Sequence, residues 1–144
     1  MNLQDYLATA AQRPLTQEEL LSLNESIQGL DKTLGMRYTH ISHGRVRSAL
    51  RVGPHLLQPV GLVNGGVYCA IGESTASVAA MVATGGPVVG VNNNTDLISS
   101  VRSGLIEAEA RALQTGRRTQ IWVVDMTNEG RLVARTTLRT MPVG

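Results

Sequence analysis

Phenylalanine is absent from this sequence, and tyrosine and tryptophan together bring the aromatic content to only 3%. Modules that bind nucleic acid need aromatic platforms beside clustered basic side chains, so that class is excluded. Lysine is scarce too: Lys32 is the only one among 13 basic residues, and the others are arginines, which grip phosphate bidentately. Acidic residues number 11, so the net charge is only +2 and no polyanion is an expected partner. The single cysteine, Cys69, excludes an internal disulfide and a cysteine-rich metal site, and suits a reducing cytoplasm. No run of about 18 apolar residues occurs. The start, Met1-Asn2-Leu3-Gln4, lacks the basic lead and apolar stretch of an export signal, so a cytoplasmic protein away from the membrane is expected.

What is present suffices for one folded unit, with 42% hydrophobic and 17% charged residues over 144 positions. Residues 1–33 read as a helical extension, in which Thr16 and Glu19 have capping-box spacing and Leu20, Leu21, Leu23 and Ile27 form an apolar stripe. The remainder, 34–144, changes period. Alternating segments 36–42 and 45–52 flank His43-Gly44 as a hairpin, and a Pro- and Gly-rich loop over 53–66 ends in Gly65-Gly66. An almost wholly apolar helix is expected over 67–83, followed by strands over 88–98, 105–114, 119–127 and 131–140. Asn128-Glu129-Gly130 reads as a tight turn between the last two. One apolar helix among six strands implies an α+β fold in which an antiparallel sheet wraps the helix. The exposed sheet edge favours dimerisation.

One full charge, Glu73, interrupts the apolar helix. Burying a carboxylate is costly unless hydrogen bonds or cations compensate, so such a residue is a functional candidate. Gly65 and Gly66 stand at the positive end of the same helix, where bare N–H groups can stabilise an oxyanion. Ser77 follows Glu73 by four residues and shares its face, and the Gln58 amide lies in the loop just upstream. Together they form a constellation suited to acyl transfer.

These residues also carry a likeness. Gln58-Pro59-Val60-Gly61-Leu62-Val63-Asn64-Gly65-Gly66, followed by Glu73-Ser74 and Ser77, resembles the signature of the PaaI-type hotdog thioesterases. That group includes 4-hydroxybenzoyl-CoA and 1,4-dihydroxy-2-naphthoyl-CoA thioesterases. The similarity continues through Val89-Gly90-Val91 to Asn94, through Gly104 and Ala108, and into Gly116-Arg117-Arg118-Thr119-Gln120-Ile121-Trp122, covering residues 34–140.

The resemblance implies a hotdog fold, a homo-oligomer built as a dimer of dimers, and hydrolysis of an acyl-CoA, with an aromatic acyl group expected. It implies that the Gly65 N–H polarises the thioester carbonyl and that Glu73 acts as base or nucleophile. Gln58 and Ser77 match the family's supporting positions, and sites in the family form between two subunits, so that Gln58 serves a neighbouring chain's Glu73. No cofactor is implied, since coenzyme A is part of the substrate. Arg117, Arg118 and Thr119 match the strand entrance that contacts CoA phosphates, with Gly66 and His55 as further substrate contacts and Arg102 and Arg135 as weaker candidates. Asn64 stands where the family commonly has histidine; it can hydrogen-bond a thioester but cannot shuttle a proton. That departure keeps open a non-catalytic acyl-CoA-binding protein, while the hotdog hydratases rank behind for want of the same histidine.

Three histidines, His40, His43 and His55, have no metal-ligand spacing, and no metal is expected. Trp122 and Cys69 read as core residues. Strand alternation pairs Asn92 with Asn94 on one face, where hydrogen bonding across a subunit interface is the expectation.

Overall fold

The computed structural model describes residues 1–144. Three short helices open the chain: α1 (Leu3–Gln12), α2 (Gln17–Glu25) and α3 (Gly29–Leu34). The anticipated capping box starts α2, with Thr16 Oγ1 accepting from the Glu19 N–H at 3.2 Å and Glu19 accepting from the Thr16 N–H at 3.0 Å. A second box, Asn2 with Asp5, starts α1. Each satisfies N–H groups that the first turn leaves without partners, and a cap of this kind contributes about 1 kcal/mol.

Then follow β1 (Met36–Ser42), β2 (Arg45–Arg51), a one-turn 3-10 segment at Pro54–Leu56, α4 (Gly65–Thr84), β3 (Val88–Leu97), β4 (Leu105–Thr115), β5 (Gln120–Asn128) and β6 (Arg131–Pro142). The six strands form one antiparallel sheet in the order β1-β2-β4-β5-β6-β3, so β1 and β3 are its edges. The β5–β6 hairpin turns through Glu129 and Gly130, both at positive φ (52° and 77°), the backbone that a two-residue hairpin loop requires.

α4 lies across the sheet and is buried on most sides, as its composition demands. It alone has the length and apolarity to cross a membrane, and those apolar sides are taken up by the fold. The close approach depends on Gly72, where a methyl group would overlap the Thr136 side chain of β6. A single cluster of 32 buried residues joins α4 and the sheet to Tyr6, Leu7, Leu20 and Leu23 of the extension, so the N-terminal helices complete the same core. Polar groups inside it are paired, with the Tyr68 hydroxyl as the exception. Ser48 and Thr75 share a 2.8 Å hydrogen bond between β2 and α4, and the Trp122 indole donates to Thr140, which donates to Gln120.

Candidate active site

The N-terminus of α4 is built around Asn64. Its Oδ1 caps the helix by accepting from the Gly66 N–H at 2.9 Å, so the Gly66 donor, expected to face substrate, is already engaged within the chain. The Gly65 N–H belongs to the first turn, which has no intrahelical acceptor, and carries the positive end of the helix dipole. A methyl group at Gly65 would lie 2.7 Å from Cδ1 of the exposed Leu97 side chain, which would have to move aside. Gln58 folds onto its own loop, its Oε1 accepting from the Val60 N–H at 2.6 Å. Gln58 and Gly65 line one cavity of about 260 Å³, together with Tyr68, whose buried hydroxyl has no partner within the chain.

Glu73 lies elsewhere. Eight residues at 1.5 Å rise put it roughly 12 Å along α4 from Gly65, too far for one carbonyl to touch both within a single chain. Its carboxylate sits in the seam between α4 and the edge strand β3. Asn93 Nδ2 donates to Glu73 Oε1 at 3.2 Å, and Glu73 Oε2 occupies the space that a side chain at Gly90 would need. Glu73 and Ser77 also line a separate cavity of about 350 Å³, roofed by the N-terminal helices and lined among others by Ile27, Tyr38 and Met81. Asp31 of α3 reaches this cavity, where its carboxylate accepts from Ser74 Oγ at 2.6 Å and, more weakly, from the Tyr38 hydroxyl at 3.5 Å. Burial, reinforced by the Asp31 charge, pushes the Tyr38 hydroxyl well above its ordinary pKa, so it stays a donor.

Arg117, Arg118 and Thr119 form the β4–β5 turn, closed by the Gly116 N–H donating to the Thr119 carbonyl at 3.1 Å. Arg117 lines a hollow with Thr84, Gly85 and Gly86 at the C-terminal end of α4, roughly 16 Å along the helix from Glu73. His55 is exposed, with its ring against Gly53, and does not line the Glu73 cavity. Arg135 is held on the outer face of the sheet by Asp125, at 2.5 Å and 3.1 Å, and Arg102 donates to the Val60 carbonyl at 3.4 Å.

The asparagine run holds the main surprise. A β-bulge between Gly90 and Asn92 shifts the register, so Asn92 and Asn94 are exposed while Asn93 turns toward α4. Among the polar residues at Glu73 and in its cavity, sequence reasoning missed Asn93 and Asp31, together with Ser26, Gln28 and Tyr38 of the cavity wall. For Asn93 a triple asparagine in an otherwise β-rich segment was the available signal; for Asp31, an acid three residues before the end of its short helix, there was none.

Residues 60–134 match the family model described as the thioesterase superfamily. The chain belongs to that superfamily. An esterase-named protein of Mycobacterium tuberculosis is 46% identical over 115 residues, covering 76% of this chain and 82% of the relative. Its solved structure superposes with a TM-score of 0.77, covering 78% of this chain and 94% of the other. The 1,4-dihydroxy-2-naphthoyl-CoA hydrolase of Escherichia coli is 31% identical, covering 89% and 95% of the two chains. A mutant of the phenylacetic acid degradation protein PaaI from Thermus thermophilus is 27% identical with a TM-score of 0.74, covering 78% and 97%. The protein is therefore a hotdog-fold thioesterase of PaaI type, and the helix with its wrapped sheet is the expected frame.

Proposed function

We propose that this thioesterase hydrolyses an aromatic acyl-CoA in a site shared by two copies of the chain. One observation carries the reading: the carboxylate of Glu73 and the free N–H of Gly65 stand on the same helix but roughly 12 Å apart, each beside its own cavity. A second copy can close that gap if it docks along β3. This edge strand exposes Val89, Val91 and Leu97, and an uncovered apolar edge is a template for pairing. Gln58 and Gly65 of one protomer would then serve Glu73 of its partner, and two such dimers would make the expected tetramer.

In that arrangement the thioester oxygen accepts from the Gly65 N–H, and Glu73 either takes a proton from the attacking water or attacks the carbonyl carbon itself. The carbon–sulfur bond then breaks and CoA leaves as the thiolate; where Glu73 is the nucleophile, water then hydrolyses the acyl–Glu73 anhydride, releasing the acid and restoring the carboxylate. The Glu73 cavity is mostly apolar, with the Asp31 carboxylate in its wall, which suits an aromatic ring bearing a hydroxyl group. Arg117, beyond the C-terminal end of α4, is our choice for a CoA phosphate contact, with Arg118 beside it. The single free thiol suits a cytoplasmic setting.

The test is thiol release from benzoyl-, phenylacetyl-, hydroxynaphthoyl- and medium-chain acyl-CoAs by wild type and Glu73→Ala. Turnover that favours the hydroxylated aromatic esters and falls about 10²- to 10⁴-fold in the variant supports the reading. Binding of these esters with release no faster than in Glu73→Ala would make this chain an acyl-CoA-binding protein instead.

A further inference from the structure

We propose that Asn93 is a positioning residue for Glu73, at the end of a hydrogen-bond relay that runs from β6 to the carboxylate. This rests on the reading of Glu73 as the reacting carboxylate.

Asn93 faces the inside of the sheet, in register with fully buried Leu138, at a position where an apolar side chain would be the ordinary choice. An amide there must find partners, and it does. Its two N–H groups go to the Cys69 carbonyl at 3.0 Å and to Glu73 Oε1 at 3.2 Å, and its Oδ1 accepts from Thr95 Oγ1 at 2.8 Å. Thr95 in turn lies 2.7 Å from Thr136 Oγ1. A hydroxyl has one proton, so if Thr95 donates to Asn93, Thr136 must donate to Thr95.

The two acceptors fix the amide. The opposite orientation would set Asn93 Oδ1 against the Cys69 carbonyl and the Glu73 carboxylate, and would leave the Thr95 hydroxyl as its one remaining partner. Thr136, fully buried, anchors the relay against Gly72 of α4, one residue before Glu73. The relay therefore ties three elements to one carboxylate and holds it in a single orientation in the seam, with Gly90 behind Oε2. A flexible glutamate would otherwise have to be ordered at each turnover, and a displacement of about 1 Å at a reacting group can cost on the order of 100-fold.

The experiment measures kcat and KM for benzoyl-CoA hydrolysis in Asn93→Leu, Thr95→Val, Thr95→Ser, Glu73→Ala and the Glu73→Ala/Asn93→Leu double variant, with folding checked by circular dichroism. Asn93→Leu should lower kcat about 10- to 100-fold while KM stays within about twofold, the signature of lost transition-state organisation. Thr95→Val, which touches Asn93 and not Glu73, should lower kcat, and Thr95→Ser should restore it. The double variant should be no slower than Glu73→Ala, because residues acting as a unit are not additive.

Wild-type kcat in Asn93→Leu would overturn the proposal, as would the same loss from Asn93→Leu in both backgrounds. If Asn93→Leu does not fold, the Thr95 pair decides, and equal rates in Thr95→Val and Thr95→Ser would count against it. Glu73→Ala as fast as wild type would instead remove the underlying reading of Glu73, and this proposal with it.

Discussion

Glu73 Oε2 fills the space beside Gly90 in which any other residue would carry its Cβ. The helix carboxylate and the edge-strand glycine are thus a matched pair, one supplying a charged group and the other the absence of a side chain. Gly90→Ala should lower hydrolysis at least about tenfold by displacing the carboxylate, since about 1 Å of misplacement is already costly. The methyl group meets only the far end of a flexible side chain, so the unfolding midpoint should hardly move. Thiol release and thermal melting on the same preparation check both parts.

A composite site makes a prediction that no single-chain site shares. Glu73→Ala and Gln58→Ala chains, each inactive alone, should regain activity when co-expressed, because a mixed dimer has one intact site. Random pairing of equal amounts gives about a quarter of the wild-type sites in a two-fold dimer. Recovery indistinguishable from the sum of the two single variants would place the whole site within one chain.

Gly72 tests the packing of α4 rather than the chemistry. A methyl group there would overlap Thr136 Oγ1, Cβ and Cγ2, and Thr136 is fully buried with no room to retreat. Gly72→Ala should destabilise the fold by about 1–3 kcal/mol through overpacking, more than offsetting the better helix propensity of alanine. The midpoint of urea unfolding reads this directly.

Two groups on the outer face of the sheet should make the protein acid-sensitive. Burial, with the charges of Arg45 and Arg47, holds the His40 imidazole below its ordinary 6.5. Burial works to raise the Glu109 carboxyl, but the hydrogen bond and charge of Arg47, aided by Arg45, hold it below its ordinary 4.5. Both pKa values are depressed on folding, so in each case the unfolded chain binds more protons as the pH falls. The His40 contribution is present above 6.5 and is lost below it; the Glu109 contribution is present above 4.5 and is lost on further acidification. Urea midpoints measured from pH 8 to pH 4 should fall below 6.5 and fall further below 4.5, and His40→Gln should remove the first part only.

Much of this architecture is written locally. Alternation of period two, turn residues such as His43-Gly44 and Asn128-Glu129-Gly130, and the Thr16–Glu19 box act over a few neighbouring residues, so each strand and the long helix α4 can be located to within about two positions, whereas the division of the N-terminal extension into three helices is not read this way. The same locality exposes Glu73, since a lone charge in an apolar helix stands out without knowledge of what surrounds it. What Glu73 touches is a different kind of fact. Asn93 reaches it across 20 residues only because a bulge between Gly90 and Asn92 reverses which asparagine faces the helix. Asp31 meets Ser74 across 43 residues because the N-terminal helices fold back over α4. Periodicity is a property of the backbone at each residue, whereas register, bulges and the docking of one element on another are settled by packing the whole chain at once. The sequence alone therefore determined the elements and singled out Glu73 as the candidate carboxylate, and only the tertiary structure decided which side chains hold that carboxylate and which enclose its cavity.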